Sequence, residues 1–141
     1  MLEMVYSPVR KITVLAKGVY KKYQYRIVSN GTHPCCYILL NEGNKFYKKK
    51  YEYINDILRS EQLPHGGFTF SSFLNKKYRE ILKIKDKKTY VIGWDYAHCG
   101  DYYASFLNLE SQDHKYTTTE LLEDVKETID NIFYKKEVKY E

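Results

Sequence analysis

Alternation of apolar and polar residues near the start of the chain predicts two β-strands. Residues 11–16 are rich in β-branched and apolar side chains, and the run stops at Gly18, which indicates a first strand. Residues 19–28 alternate aromatic or aliphatic side chains with charged ones, and the turn-forming pair Asn30-Gly31 follows them. We therefore expect the two strands to form a hairpin around Lys17 and Gly18.

An uninterrupted apolar run from Cys35 to Leu40 predicts a buried central strand. His33 and Pro34 precede it in a predicted loop, and His33 is expected to be an ordinary loop residue at the margin of any site. Cys35 and Cys36 are expected to fill the core, because buried cysteines behave as small hydrophobic residues unless their thiolate is stabilised.

Two stretches in the middle of the chain carry helical spacing. Apolar and aromatic residues recur at this spacing between residues 50 and 59, which predicts a short helix. Residues 75–88 form a charged connection in which Tyr78, Ile81 and Leu82 are spaced to cover the sheet on one or two helical turns.

Strand patterns lie on both sides of that charged connection. Residues 68–73 are predicted as one strand, and residues 89–94, which are β-branched and aromatic, as another. Residues 102–107 are predicted to resume the sheet after an intervening loop. In the first of these strands, the period of two places on one face the side chains of Phe68, Phe70 and Ser72.

The C-terminal part of the chain predicts an amphipathic helix. Thr117 and Glu120 have the spacing of a capping box, with Thr117 as the N-cap. Apolar residues then recur every three or four positions, namely Leu121, Leu122, Val125, Ile129, Ile132 and Phe133. The residues expected on the solvent side are Glu123, Asp124, Lys126, Glu127 and Asp130.

These elements predict an α+β fold, a mostly antiparallel β-sheet with the C-terminal helix packed on one face. A chain of 141 residues is expected to form a single domain over residues 1–141, with the leader 1–9 and the tail 134–141 as the parts expected to fray. Hydrophobic residues make up 43% of the chain and charged residues 29%, and their interspersion argues against wholesale disorder.

Cysteine usage and hydropathy indicate the compartment. The three cysteines, two of them adjacent, argue against a disulfide framework or a zinc ribbon. No apolar run approaches the roughly 20 residues of a membrane span, and the N-terminus lacks the apolar core of a signal peptide. We therefore expect a cytoplasmic protein with no membrane contact. No pattern in the sequence indicates the oligomeric state.

The formal net charge of +5 is concentrated in short lysine clusters. Such clusters attract polyanions, so nucleic acid is a possible partner. The favoured alternative is that they are solvated strand edges that discourage aggregation, because no recognised nucleic-acid-binding signature accompanies them. The clusters are Lys21-Lys22, Lys48-Lys49-Lys50, Lys76-Lys77, Lys83-Ile84-Lys85 and Lys87-Lys88.

Chemically reactive residue types concentrate in Gly93-Trp94-Asp95-Tyr96-Ala97-His98-Cys99-Gly100-Asp101-Tyr102. This stretch is predicted as a strand that runs into a loop, and Pro64-His65-Gly66-Gly67-Phe68-Thr69 is a second turn at a strand end. Binding and catalytic residues are disproportionately found in such loops. The residues expected to bind a ligand are His65, Gly66, Gly67, Thr69, Trp94, Asp95, His98, Gly100, Asp101 and Tyr102.

One chemistry that fits these residues uses a divalent metal ion. Asp95, His98 and Asp101, joined by His65, supply oxygen and nitrogen ligands, and a metal held by them ionises a water molecule. The same four residues are the candidate catalytic groups, because a histidine paired with an aspartate acts as a general base even without a metal. No cofactor other than this possible metal ion is indicated.

A second chemistry uses the glycines. Backbone N–H groups around Gly66-Gly67 and at Gly100 are expected to form a nest for a phosphate or carboxylate, while Trp94, Tyr96 and Tyr102 stack on a base or ring. The alternative is purely structural, because glycine, aspartate and histidine are also the residues that tight turns require.

Three motifs occur together in this chain, followed by the Thr-Thr-Glu start of the C-terminal helix. They are His33-Pro34-Cys35-Cys36-Tyr37, His65-Gly66-Gly67-Phe68-Thr69-Phe70, and the stretch from Gly93 to Tyr102. This combination resembles a family of small accessory proteins of unassigned activity that are common in bacteriophages, prophages and mobile elements. The resemblance spans roughly residues 25–133.

Small phage accessory proteins are often counter-defence factors. The resemblance therefore implies a binding protein that inhibits a host immune system, such as CRISPR–Cas or a cyclic-nucleotide signalling pathway, with a host defence protein or a nucleotide ligand as its partner. Two alternatives stay open. One is a metal-assisted phosphoesterase or related hydrolase acting on a nucleotide, and the other is a structural interaction module that works through its tyrosine-rich surface.

Overall fold

The structure is a computed structural model and describes residues 12–96 and 116–135. Its strands are β1 (Thr13–Tyr20), β2 (Tyr23–Ser29), β3 (Pro34–Leu40), β4 (Phe70–Phe73) and β5 (Tyr90–Asp95). Its α-helices are α1 (Tyr51–Ile57), α2 (Lys76–Leu82) and α3 (Thr118–Ile129). A 3₁₀ turn spans Ser60–Gln62, and a π-helical turn continues α3 over Asp130–Tyr134.

The five strands form one antiparallel sheet in the order β1-β2-β3-β5-β4. The α+β class is confirmed, as is the central position of β3, since β2 and β5 flank it. The capping box of α3 is also confirmed, because the Thr117 hydroxyl accepts from the Glu120 N–H and the Glu120 carboxylate accepts from the Thr117 N–H. The helices predicted over residues 50–59 and within 75–88 correspond to α1 and α2.

Two hydrophobic clusters cover the two faces of the sheet. The larger cluster lies between the sheet and helices α1 and α3, and the smaller one lies beneath α2. Fully buried side chains of the larger cluster include Ile27, Ile38, Phe46, Ile54, Trp94, Tyr96, Val125 and Ile129. The buried members of the smaller cluster are Val28, Cys35, Leu39, Leu82, Ile84 and Val91. Cys35 and Cys36 are therefore core residues, as predicted.

The predicted position of the first hairpin turn is wrong. The chain turns at Lys21 and Lys22, which have positive φ values of 47° and 75°, and Gly18 lies inside β1 opposite Tyr25. A Cβ atom at position 18 would stand 2.6 Å from the Tyr25 hydroxyl oxygen, so this glycine makes room for a ring. The Lys21 ammonium contacts the Asp130 carboxylate at 2.7 Å, a long-range contact that the local pattern does not contain.

Two side-chain orientations also differ from the predictions. Phe68 belongs to the larger cluster and Phe70 packs against the smaller one, because the regular strand begins only at Phe70. Asp124 is predicted on the solvent side of α3, but its carboxylate accepts a partly buried hydrogen bond from Tyr96. Three predicted features lie outside the described residues: the strand over 102–107, the leader 1–9 and the tail beyond residue 135. The single-domain expectation stays a prediction.

Candidate functional site

The two turns singled out in the sequence meet at one edge of the sheet. Because β4 and β5 are antiparallel neighbours, the start of β4 lies beside the end of β5. The Thr69 hydroxyl donates to the Asp95 carboxylate at 3.1 Å, and the Thr69 N–H donates to the Gly93 carbonyl at 2.9 Å. The bond between the two side chains is exposed to solvent. Thr69 and Asp95 thus form a polar rim that joins the two motifs.

An aromatic cluster lies next to this rim. The His65 imidazole stacks on the Tyr96 ring, with centroids 4.7 Å apart and an interplanar angle of 14°. Tyr116, which precedes α3, completes the cluster with its centroid 5.4 Å from that of His65 and 4.6 Å from that of Tyr96. His65 and Tyr116 are half-buried, so the cluster closes the core and reaches the surface. His65 therefore belongs to the same site as the end of β5.

The hydroxyl of Tyr96 anchors the buried side of this cluster through two hydrogen bonds. It accepts a hydrogen bond from the Trp94 indole at 3.0 Å and donates one to the Asp124 carboxylate at 2.7 Å. Tyr96 is fully buried, and burial raises its pKa well above the ordinary value, so the hydroxyl stays protonated and serves as a donor at all physiological pH values. The indole of Trp94 is 1% exposed and packs edge-on against Phe68, which makes it a core side chain and not a stacking platform for a ligand.

The glycine pair turns the chain but offers few amide donors. Gly66 and Gly67 have φ values of 71° and 82°, a region that favours glycine. The Gly67 N–H donates to the Pro64 carbonyl at 2.8 Å, and the Phe68 N–H donates to the Asn55 side-chain oxygen at 2.9 Å. The predicted anion nest is therefore not available at Gly67 or Phe68, because their N–H groups are bonded within the protein.

Asn55 is a site residue that the sequence interpretation missed. It lies on α1, and its side-chain amide both accepts from the Phe68 N–H and donates to the Phe68 carbonyl, the latter at 2.8 Å. These two bonds hold the segment between the glycine turn and β4 in place. No local sequence pattern indicates that a single asparagine in a helical segment takes this role.

Cys35 lies beside the rim but supplies no nucleophile, and His33 belongs to the turn that precedes β3. Cys35 is the register partner of Asp95, and burial, with the neighbouring carboxylate, raises the pKa of its thiol to about 11. The thiol is therefore protonated at neutral pH and unreactive as a nucleophile. His33 contacts the side chains of Asn30 and Thr32 in the β2–β3 turn, in keeping with its expected role as a loop residue.

Four predicted site residues, His98, Gly100, Asp101 and Tyr102, lie outside the described residues. The metal site and the general base require His98 and Asp101, so both remain predictions. Within residues 12–96 and 116–135, no three histidine, cysteine, aspartate or glutamate side chains are grouped as a metal ion would require. Of the predicted metal ligands, the structure therefore places only His65 and Asp95.

Replacing Tyr96 with phenylalanine is expected to lower the free energy of unfolding by about 2 kcal/mol, because the buried Trp94 N–H loses its acceptor and Asp124 loses a donor. Urea denaturation of Tyr96→Phe measures this loss. The matched control is Tyr53→Phe, since the Tyr53 side chain is 48% exposed and should leave stability unchanged. Equal stability of the two variants would show that the hydroxyl network contributes nothing.

The site is defined by the contacts among Thr69, Asp95, His65 and Tyr96. The described helices include none with the length and apolar character needed to cross a membrane. Comparison with known proteins finds no matching family model, no matching curated protein and no matching solved structure.

Proposed function

We propose that this protein is a binding protein, a cytoplasmic accessory factor of phage or mobile-element type that counteracts a host defence system. Its contact surface is the rim site, defined as His65, Gly66, Thr69 and Asp95. The observation that carries the proposal is the convergence of two separate chain segments there, through the Thr69–Asp95 hydrogen bond and the His65–Tyr96 stack.

The chemistry of the rim site favours a protein partner over a phosphate-bearing ligand. A carboxylate stands at the rim, and the N–H groups of Gly67, Phe68 and Thr69 donate within the chain. Both features disfavour an anion. Half-buried aromatic rings bordered by exposed polar groups are instead typical of the centre of a protein interface, where aromatic residues contribute most of the binding energy.

The proposal is tested in bacteria that carry a defined defence system, either CRISPR–Cas or a cyclic-nucleotide signalling pathway. Expression of the wild-type protein is expected to restore phage plating in at least one of these strains. The double variant His65→Ala/Thr69→Ala is expected to lower that restored plating by about tenfold or more, because truncating interface hot spots costs about 2 kcal/mol or more.

The control variant is Glu42→Ala/Lys48→Ala, which changes two exposed residues at the opposite end of the sheet. It should plate like the wild type, and thermal unfolding should show that both variants are folded. Restored plating that survives the rim variant would remove the rim site from the function. Absence of any effect of the wild type in both strains would contradict the counter-defence role.

A further inference from the structure

A second surface, which shares no residue with the rim site, has an unusual concentration of positive charge. A groove of about 560 Å³ runs between the edge strand β1 and helix α2. Its lining contains one carboxylate, Glu80, against five cations, namely Lys17, Lys76, Arg79, Lys83 and Lys85. The four lysines are exposed, and none of them pairs with a carboxylate within the described part of the chain. We call this surface the basic groove.

A buried guanidinium adds to the charge of the basic groove from below. Arg26 is only 3% exposed, and its acceptors among the described residues are all neutral. It donates to the carbonyls of Leu82 at 2.6 Å, Tyr25 at 2.9 Å and Lys83 at 3.0 Å, and more weakly to the Gln24 side chain at 3.4 Å. Carbonyl dipoles satisfy its N–H groups but leave its full charge uncompensated.

The sheet register places this charge beside that of the groove lysines. Arg26 on β2 is the cross-strand partner of Lys17 on β1, so two like charges stand opposite each other. Such a pair is destabilising by itself. The Leu82 and Lys83 carbonyls bring the same guanidinium to the end of α2, where Lys83 and Lys85 also lie. Cations from three elements thus converge, and within the described residues none of them forms an ion pair, although the Glu80 carboxylate shares the lining.

The composition of the basic groove indicates what occupies it. Lysine binds phosphate as a point charge, and the guanidinium of Arg79 is already engaged by the Leu74 carbonyl at 2.6 Å. The only apolar lining residue, Ile84, is buried, so the described lining has no exposed anchor of the kind a protein interface needs. In the part of the chain that the structure describes, this lining also contains no aromatic ring on which an unpaired base would stack.

We propose that the basic groove binds the phosphate backbone of a nucleic-acid duplex without sequence preference. Its lysines neutralise phosphates, and the buried charge of Arg26 raises the positive potential over the whole groove. This surface shares no residue with the rim site, so the two proposals stand or fall separately.

The test is fluorescence anisotropy of the full chain with a short, labelled DNA duplex of mixed sequence, at NaCl concentrations from about 50 to about 200 mM. The logarithm of the binding constant should fall against the logarithm of salt with a slope of about −3 to −4, as expected for three or four phosphates neutralised. Lys83→Glu/Lys85→Glu should weaken binding by about tenfold or more. Its salt-dependence slope should be smaller in magnitude by about 2.

The matched control is Lys48→Glu/Lys87→Glu, which gives the same net charge. Lys48 and Lys83 both have positive φ, at 66° and 58°, and all four lysines are exposed, so the two variants are equally demanding for the fold. The control should keep most of the affinity. Equal losses in the two variants would assign binding to net charge alone and overturn the proposal. So would an absence of duplex binding at about 50 mM NaCl, or tighter binding of a single strand.

Discussion

Replacing Gly93 with alanine is expected to lower the free energy of unfolding by about 3 kcal/mol, although alanine is normally the better strand residue. Gly93 lies in β5 between its register partners Tyr37 on β3 and Phe70 on β4. The rings of these two residues meet edge-on above the glycine, with centroids 5.5 Å apart. An added Cβ would run into the Tyr37 ring and would stand 2.5 Å from the Cys36 carbonyl oxygen.

The backbone contact makes this clash costly, because a carbonyl inside a central ladder cannot rotate away as a side chain can. Gly18→Ala is the matched control. Gly18 is also a strand glycine, but the atoms that its new Cβ would meet are at the far end of the Tyr25 ring. Its expected loss is about 1 kcal/mol or less. Urea denaturation of both variants decides the point, and equal losses would show that the clash with the Cys36 carbonyl adds no cost.

The role of Gly93 shows where prediction from the sequence ends. The β-branched pattern around it correctly predicts a strand, and the periodicity of α3 and its capping box are equally local features. Which rings lie above a glycine depends on the strands beside it, and the register of β3, β4 and β5 is set by contacts between residues far apart in the chain. The hairpin turn at Lys21 and Lys22 is a similar case, since the Lys21 ammonium is held by Asp130, which lies far away in the sequence.

The rim site was predictable in part for the same reason. Histidine, glycine and aspartate at two strand ends indicate loops that carry function, and antiparallel pairing of β4 with β5 does bring Thr69 to Asp95. The sequence does not indicate that Asn55 takes up the Phe68 N–H, or that Tyr96 joins Trp94 to Asp124. Those bonds depend on how the helices pack. Because of them, groups that were predicted to contact a ligand instead hold the fold together.

Arg26→Met is expected to lower the free energy of unfolding by about 3 kcal/mol. Burial lowers the pKa of the Arg26 guanidinium, so removing a charge from this position is favourable in itself. The opposing effect is larger, because the buried carbonyl of Leu82 and the partly buried carbonyl of Lys83, at the end of α2, would lose their donors. A buried acceptor left without a partner costs about 1–3 kcal/mol, and a partly buried one costs less. Urea denaturation gives the net result.

Two further variants separate the possible causes. Arg26→Lys keeps the charge but has no planar fork that reaches both carbonyls, so it should recover less than half of the loss. Arg79→Met removes an arginine of α2 that bonds one carbonyl, that of Leu74, and should cost about 1 kcal/mol. If Arg26→Met instead stabilised the fold, the desolvation of the guanidinium would outweigh its hydrogen bonds. A buried charge kept at such a cost would then need a reason outside stability, such as the potential it adds to the basic groove.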